Sequence, residues 1–386
     1  MSNNKIIPVV FATDDNYVPY CGVAISSLIQ NTNKNNKYEI YILYDKLSAY
    51  NIYRLENLGK NNVIVNCICI HEYIKDYNIL EHIHLTVAAI YRLIIPDVLP
   101  QYDKIIYLDS DIVVDDDIAE LYATDIGKNI LGACHGYCKN DKTDMFYKHV
   151  TQTLGIALDL FFNTGVLIIN SQEFKKLMIK EKCLKLLTER NDLIYMDQCA
   201  LNLTCINNVY FIDKRWNFEW LKLINEDVSL DSDISFSIFH FDSPQKPWNF
   251  PDYPFADLFW RYARNTIFYE EAIKQMNMNT VKNNIDLLRL LGNIGNGKIA
   301  VYGAGSYGKA FIDAIRYMSA FKIVAWVDKN YQNKTGLRIP VYPVEMLDEI
   351  DFDKLVVAIY DDKVFDEIKK MLISHGIEES KICRYK

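Results

Sequence analysis

Short apolar runs alternate with amphipathic stretches of helical period through the first part of the chain. Ile6 to Ala12 reads as a strand, Val18 to Asn31 as a helix, Tyr38 to Leu43 as a strand, Ala49 to Leu58 as a helix and Val63 to Ile70 as a strand. This is the βαβ rhythm of a mostly parallel sheet with helices on both sides. The unbroken apolar run Val166 to Ile169 predicts a fully buried strand, followed by an exposed helix over Gln172 to Thr188. Phe236 to Phe239 predicts a further strand.

The pattern changes near Met278. A polar stretch with a helical segment, Asn283 to Leu291, and the run Gly292 to Gly297 predicts a linker, dividing the chain into 1–277, a linker at 278–296 and a second domain at 297–386. In that domain a strand at Lys298 to Tyr302 leads through Gly303-Ala304-Gly305-Ser306-Tyr307-Gly308 into a helix to about Met318. A strand from Lys322 to Val327 then ends at Asp328. The glycines fit GxGxxG, and Asp328 stands where an acidic residue often meets a ribose hydroxyl. The same glycines also serve close packing of a helix on a strand. Nucleotide or dinucleotide binding and a structural or partner-docking role are therefore both open.

Composition narrows the function classes. With 386 residues, 50% hydrophobic and 24% charged, the chain has an ordinary globular balance and room for two domains. Its net charge of -8 argues against a nucleic-acid binder, which carries a basic face, and against an anionic membrane partner. No apolar run approaches a membrane span, and the first residues lead directly into a strand, so a cytosolic, soluble protein is expected. Nine cysteines without a CxxC pair indicate neither a disulfide framework nor a zinc site.

Candidate chemistry starts at Lys104 to Val114, an apolar strand carrying Asp109 and Asp111. Side chains at i and i+2 of a strand share a face, so the two carboxylates can reach one point. A divalent cation there would relieve their repulsion and desolvation, whereas the plainer reading is a solvated acidic turn. Far downstream, His240 to Trp248 places an imidazole, a ligand suited to Mn²⁺, beside Lys246, a point positive charge for a phosphate.

These residues, with Phe11-Ala12-Thr13-Asp14-Asp15-Asn16-Tyr17, Tyr91-Arg92-Leu93, Phe162 to Asn170 and Asp197-Gln198, form six blocks in order over the first two-thirds of the chain. Together they resemble the retaining glycosyltransferases of family 8, which include bacterial lipopolysaccharide galactosyl- and glucosyltransferases and glycogenin. The resemblance implies a GT-A type α/β fold, a nucleotide-sugar-binding, mostly parallel sheet flanked by helices. The segment from Lys298, with Gly336-Leu337-Arg338-Ile339-Pro340-Val341 and a strand from Leu355 to Ile359, separately resembles the small Rossmann-like domains attached to bacterial sugar-transfer and sugar-modifying enzymes. The family resemblance implies Mn²⁺ or Mg²⁺ held by Asp109, Asp111 and His240. It places the nucleotide of a UDP-sugar against Ala12, Asp14, Asn16 and Tyr17, sugar hydroxyls at Asn163, and the diphosphate at Ser243 and Lys246. Arg92, Asp197 and Gln198 would border the anomeric centre as catalytic residues. Ser243 departs from the family pattern, which often has Gly there.

The expected reaction moves a hexose, galactose or glucose, from a UDP-hexose donor to a glycan or glycolipid acceptor such as lipopolysaccharide or capsule. Retention implies either a covalent intermediate or attack from the face the leaving group vacates. The aromatic stripe Tyr253 to Tyr269 suits core or dimer contact more than membrane docking, leaving homo-oligomerisation and peripheral contact with the inner face of the membrane open. Two other classes compete. A nucleotidyltransferase should show a glycine- and lysine-rich phosphate loop, which Phe11 to Tyr17 lacks. An NAD- or nucleotide-sugar-binding sensor or redox protein would work through the C-terminal domain.

Overall fold

The computed structural model describes residues 6–75, 87–136, 142, 144–219, 235–242, 246–249, 255–315, 318–333 and 339–385. They fall into two compact units, Met1–Asn277 and Met278–Lys386.

The first unit is built on a seven-stranded sheet. Its strands are β1 (Ile6–Ala12), β2 (Lys37–Tyr44), β3 (Val63–Cys69), β4 (Lys104–Leu108), β6 (Leu131–His135), β7 (Phe162–Asn170) and β8 (Val209–Phe211), in the order β3-β2-β1-β4-β7-β6-β8. β1 to β4 are mutually parallel, whereas β7 runs antiparallel to both β4 and β6. A smaller sheet places β10 (Ile238–His240) between β5 (Ile112–Val114) and β9 (Phe218–Glu219). The period of two sends alternate residues to opposite faces, and both faces are covered. Val10, Tyr107, Leu167 and Ile169 pack into one apolar cluster with the helices Val87–Val98, Ile179–Glu189 and Met196–Cys205. Val9, Phe11, Ile106, Leu108, Val166 and Ile168 pack into another with the helix Val18–Gln30.

Several sequence expectations are corrected. The stretch 104–114 is two strands in different sheets, with Asp109 and Asp111 in the bend between them. The Gln172 to Thr188 helix is two, Ser171–Lys176 and Ile179–Glu189, interrupted at Met178 with φ 54°. The second is not simply exposed, since Ile179, Cys183, Leu184 and Leu187 are buried. The helix Val87–Val98 carries Pro96 inside it, and the Leu99 N–H bonds the Ile95 carbonyl beyond the proline. β3 is the sheet edge, so Cys69 is exposed, whereas Cys67 is partly buried and packs against the core. Of the aromatic stripe, Phe259, Trp260 and Phe268 are core.

The second unit is a four-stranded, all-parallel sheet of β11 (Gly297–Tyr302), β12 (Phe321–Val327), β13 (Lys354–Ala358) and β14 (Ile382–Tyr385), in the order β12-β11-β13-β14. The 278–296 segment is not a separate helix, since one helix spans Tyr269–Ile294. The glycine loop after β11 is closed on itself. The Ala304 N–H donates to Asp328 Oδ2 at 2.6 Å, and a Cβ on Gly308 would lie 1.9 Å from the Gly303 carbonyl oxygen. Gly336 to Arg338 lie outside the described residues.

Candidate active site

Pairing of three distant segments brings the candidate residues together. β4 ends at Leu108, opposite Val166 of β7, and the ladder continues one step because the Asp109 N–H donates to the Gly165 carbonyl at 2.8 Å. The Ser110 hydroxyl donates to the Ala12 carbonyl at 2.7 Å, tying the bend to the end of β1. His240 pairs with Ile112 in the small sheet, and the Phe241 N–H donates to the Asp111 carbonyl at 2.9 Å. The imidazole is thereby set beside both carboxylates, with Nε2 at 3.2 Å from Asp111 Oδ1 and 3.8 Å from Asp109 Oδ2.

The other carboxylate oxygens are engaged elsewhere. Asp109 Oδ1 accepts from Tyr107 Oη at 2.6 Å and Arg92 Nη2 at 3.0 Å. Asp111 Oδ2 accepts a short bond from Lys246 Nζ, which also donates to the Phe241 carbonyl. Asp109 Oδ2 and Asp111 Oδ1 therefore converge with His240 Nε2, and ligand atoms of these three residues lie within 4.8 Å of one another. Two carboxylate oxygens and one imidazole nitrogen suit Mn²⁺ or Mg²⁺ better than a thiophilic ion. Only glycine fits at 165, where a Cβ would lie 2.2 Å from His240 Cε1 and 2.8 Å from Asp109 Oδ2.

The Arg92 side chain is largely covered, 11% exposed. Its guanidinium pairs with Asp109 and, through Nε, with Asp197 Oδ2 at 2.9 Å, lies over the Tyr107 ring and donates to Thr164. Burial pushes the Asp197 carboxyl up to about 6, although Arg92 opposes the shift. Burial alone would lower the His240 value, but Asp111, with smaller effects from Asp242 and Asp109, raises it to about 9. Burial would raise Asp111, yet Lys246 and His240 hold its carboxyl well below the usual range. Tyr17 is pushed well up, first by burial and then by Asp111 and Asp109.

Asp197 lies in the first turn of the helix Met196–Cys205, where it pairs with Arg92. Gln198 Oε1 accepts the Thr164 N–H at 3.1 Å. Asn163 belongs to β7 and is buried. At the end of β1, Asp14 Oδ1 accepts the N–H groups of Asn16 and Tyr17, both at 2.9 Å; Asp14 and Asn16 are exposed, and Tyr17 packs edge-on to Trp248 at 6.0 Å. Ser243 lies outside the described residues. Asn217 was not foreseen. It sits between Asn163 and His240, within hydrogen-bond reach of both, in a segment whose sequence carries no motif.

Residues 8–251 match the family model for glycosyl transferase family 8, and residues 295–383 match that of the C2185-like N-terminal family. General stress protein A of Bacillus subtilis is 28% identical, covering 69% of this chain and 96% of that protein. A lipopolysaccharide 1,2-glucosyltransferase of Escherichia coli is 27% identical over 71% and 84%, and the lipopolysaccharide 1,3-galactosyltransferase of Salmonella typhimurium is 23% identical over 67% and 78%. The solved structure of the galactosyltransferase LgtC in complex with donor and acceptor sugar analogues is similar, with a TM-score of 0.54 and 25% identity over 68% of this chain and 96% of that one. The mostly parallel sheet flanked by helices is the GT-A arrangement, and the chain belongs to glycosyl transferase family 8.

Proposed function

We propose that the protein is a metal-dependent, retaining hexosyltransferase, moving galactose or glucose from a UDP-sugar to a surface-glycan acceptor such as lipopolysaccharide or capsule. The observation that carries this reading is the convergence of Asp109 Oδ2, Asp111 Oδ1 and His240 Nε2, within a chain of this family, beside Tyr17 in the turn after β1 and Arg92 of the helix Val87–Val98. A divalent cation held by these three residues would supply positive charge to the departing diphosphate. Lys246 adds a second cation on the same side.

The other residues manage the sugar. In the reaction the bond from the anomeric carbon to the diphosphate oxygen breaks, a bond to the acceptor oxygen forms, and the proton of the acceptor hydroxyl passes to the departing diphosphate. Asp197, when ionised, would steady positive charge at the anomeric carbon, and its pairing with Arg92 supports that role. Gln198, tied to Thr164, and Asn163 line the same end of β7 and would contact sugar hydroxyls. Ala12, Asp14, Asn16 and Tyr17 would seat the uridine, and Ser243 would border the diphosphate. Names of the relatives favour both hexoses, and pocket shape around the epimeric hydroxyl decides between them. None of the described helices is long and apolar enough to cross a membrane, and the reading places the enzyme in the cytoplasm, where a glycolipid acceptor would be met at the inner face of the membrane.

The test is release of UDP from a panel of UDP-hexoses, with and without Mn²⁺. Release should require the metal and fall about 100- to 1,000-fold, the scale of losing one principal electrostatic group, in both Asp109→Ala and Asp111→Ala. Absence of release from every donor, with no metal-dependent UDP binding by folded protein, would overturn the reading.

A further inference from the structure

The imidazole of His240 can offer a lone pair from either nitrogen, and only Nε2 faces the two aspartates. A chain of hydrogen bonds starting at the backbone fixes which nitrogen that is. The Gly165 N–H is a donor that cannot turn over, and it bonds Asn163 Oδ1 at 2.7 Å. Asn163 must therefore present its oxygen at this point. The same oxygen lies 2.8 Å from Asn217 Nδ2, so Asn217 must present its amide NH₂ there, and its own oxygen turns the other way. Asn217 Oδ1 lies 2.9 Å from His240 Nδ1 and, being an acceptor, requires a proton on that nitrogen.

We infer that Asn217 is a positioning residue that commits His240 to carrying its proton on Nδ1, leaving the Nε2 lone pair for a divalent cation. The inference rests on the metal reading proposed above. Asn163, Asn217 and His240 are all buried, so water does not readily replace a missing partner. Outer partners of this kind set both the ring orientation and the basicity of a ligating histidine, and their loss weakens metal affinity by about 10- to 100-fold. The chain also links Asn163, at the expected sugar end of the site, to the metal end.

The test is Mn²⁺ binding by the nucleotide-free full chain, read as loss of the free-ion electron paramagnetic resonance signal, together with thermal unfolding. Asn217→Ala removes the acceptor and should weaken binding about 10-fold or more. Asn217→Asp keeps an acceptor for Nδ1–H but sets a carboxylate against Asn163 Oδ1. It should lower the unfolding temperature while holding Mn²⁺ affinity within about 3-fold of wild type, a split that a merely structural residue would not produce. Equal affinity in wild type and Asn217→Ala, or equal loss in both variants, would overturn the inference and leave the transferase reading intact. No Mn²⁺ binding by the wild type would instead overturn the metal reading on which it rests.

Discussion

Asp197 is a carboxyl raised to about 6 beside a largely covered arginine, and the sign of that shift has a measurable consequence. The folded value lies above the ordinary 3.8, so the native state holds the proton more tightly than the unfolded chain. The fold therefore loses stability as pH rises from about 4 to about 6, and the loss is constant above that range. In chelator-treated protein, the stability difference between wild type and Asp197→Asn should change across this window by up to about 3 kcal/mol, and urea midpoints read at each pH would check it. Loss of the charge pair with Arg92 offsets the variant's stability as a whole but does not create the pH slope. At this scale the aspartates, Arg92 and His240 were legible because the residue types and their order carry the chemistry. Asn217 was not, because it acts only through hydrogen bonds to side chains 54 and 23 positions away. The partner of Lys246 was equally hidden: its ammonium rests on Asp111.

At the scale of elements, the start of β7 depends on a side chain from a neighbouring helix. Asn202 is fully buried; its Oδ1 accepts the Phe162 N–H at 2.9 Å, and its Nδ2 donates to the Phe162 carbonyl at 2.8 Å and the Gln198 carbonyl at 2.9 Å. One amide thus stands in for a strand partner and clamps the helix carrying Asp197 and Gln198 against the strand carrying Asn163. Asn202→Ala would leave two buried backbone groups without that partner, and a destabilisation of about 2–5 kcal/mol is expected by chemical denaturation. The buried run Val166 to Ile169 announced the strand, since four apolar residues in a row suit a sheet covered on both faces. Its antiparallel direction was not announced, because direction is set by the connection between β6 and β7 and not by the residues within the strand. The bend at 109–111 was also hidden, since the apolar run continues on both sides while the chain changes sheet.

At the scale of the molecule, the βαβ rhythm and the composition shift were enough to anticipate the parallel strands of both units. The second unit's glycine loop is open to two readings, and the close helix approach that leaves no room for a side chain at 308 belongs to both, with Asp328 accepting from the Ala304 N–H in the same turn. Gly308→Ala should lower the unfolding temperature of the second unit, with a cost of about 1–3 kcal/mol, while Mn²⁺-dependent UDP binding is unchanged. Calorimetry paired with a UDP titration would check both halves.

The contact between Lys246 and Asp111 spans 135 positions of sequence, and His240 reaches the same carboxylate from nearly as far downstream. A ribosome adding about 5–20 residues per second needs on the order of ten seconds to cover that distance. During synthesis the aspartate pair therefore emerges well before either of its downstream partners. A nascent chain can complete the early strands of the large sheet, yet it acquires its full set of cation donors only after His240 has left the exit tunnel, so assembly of the donor set marks a late stage in the maturation of the first unit.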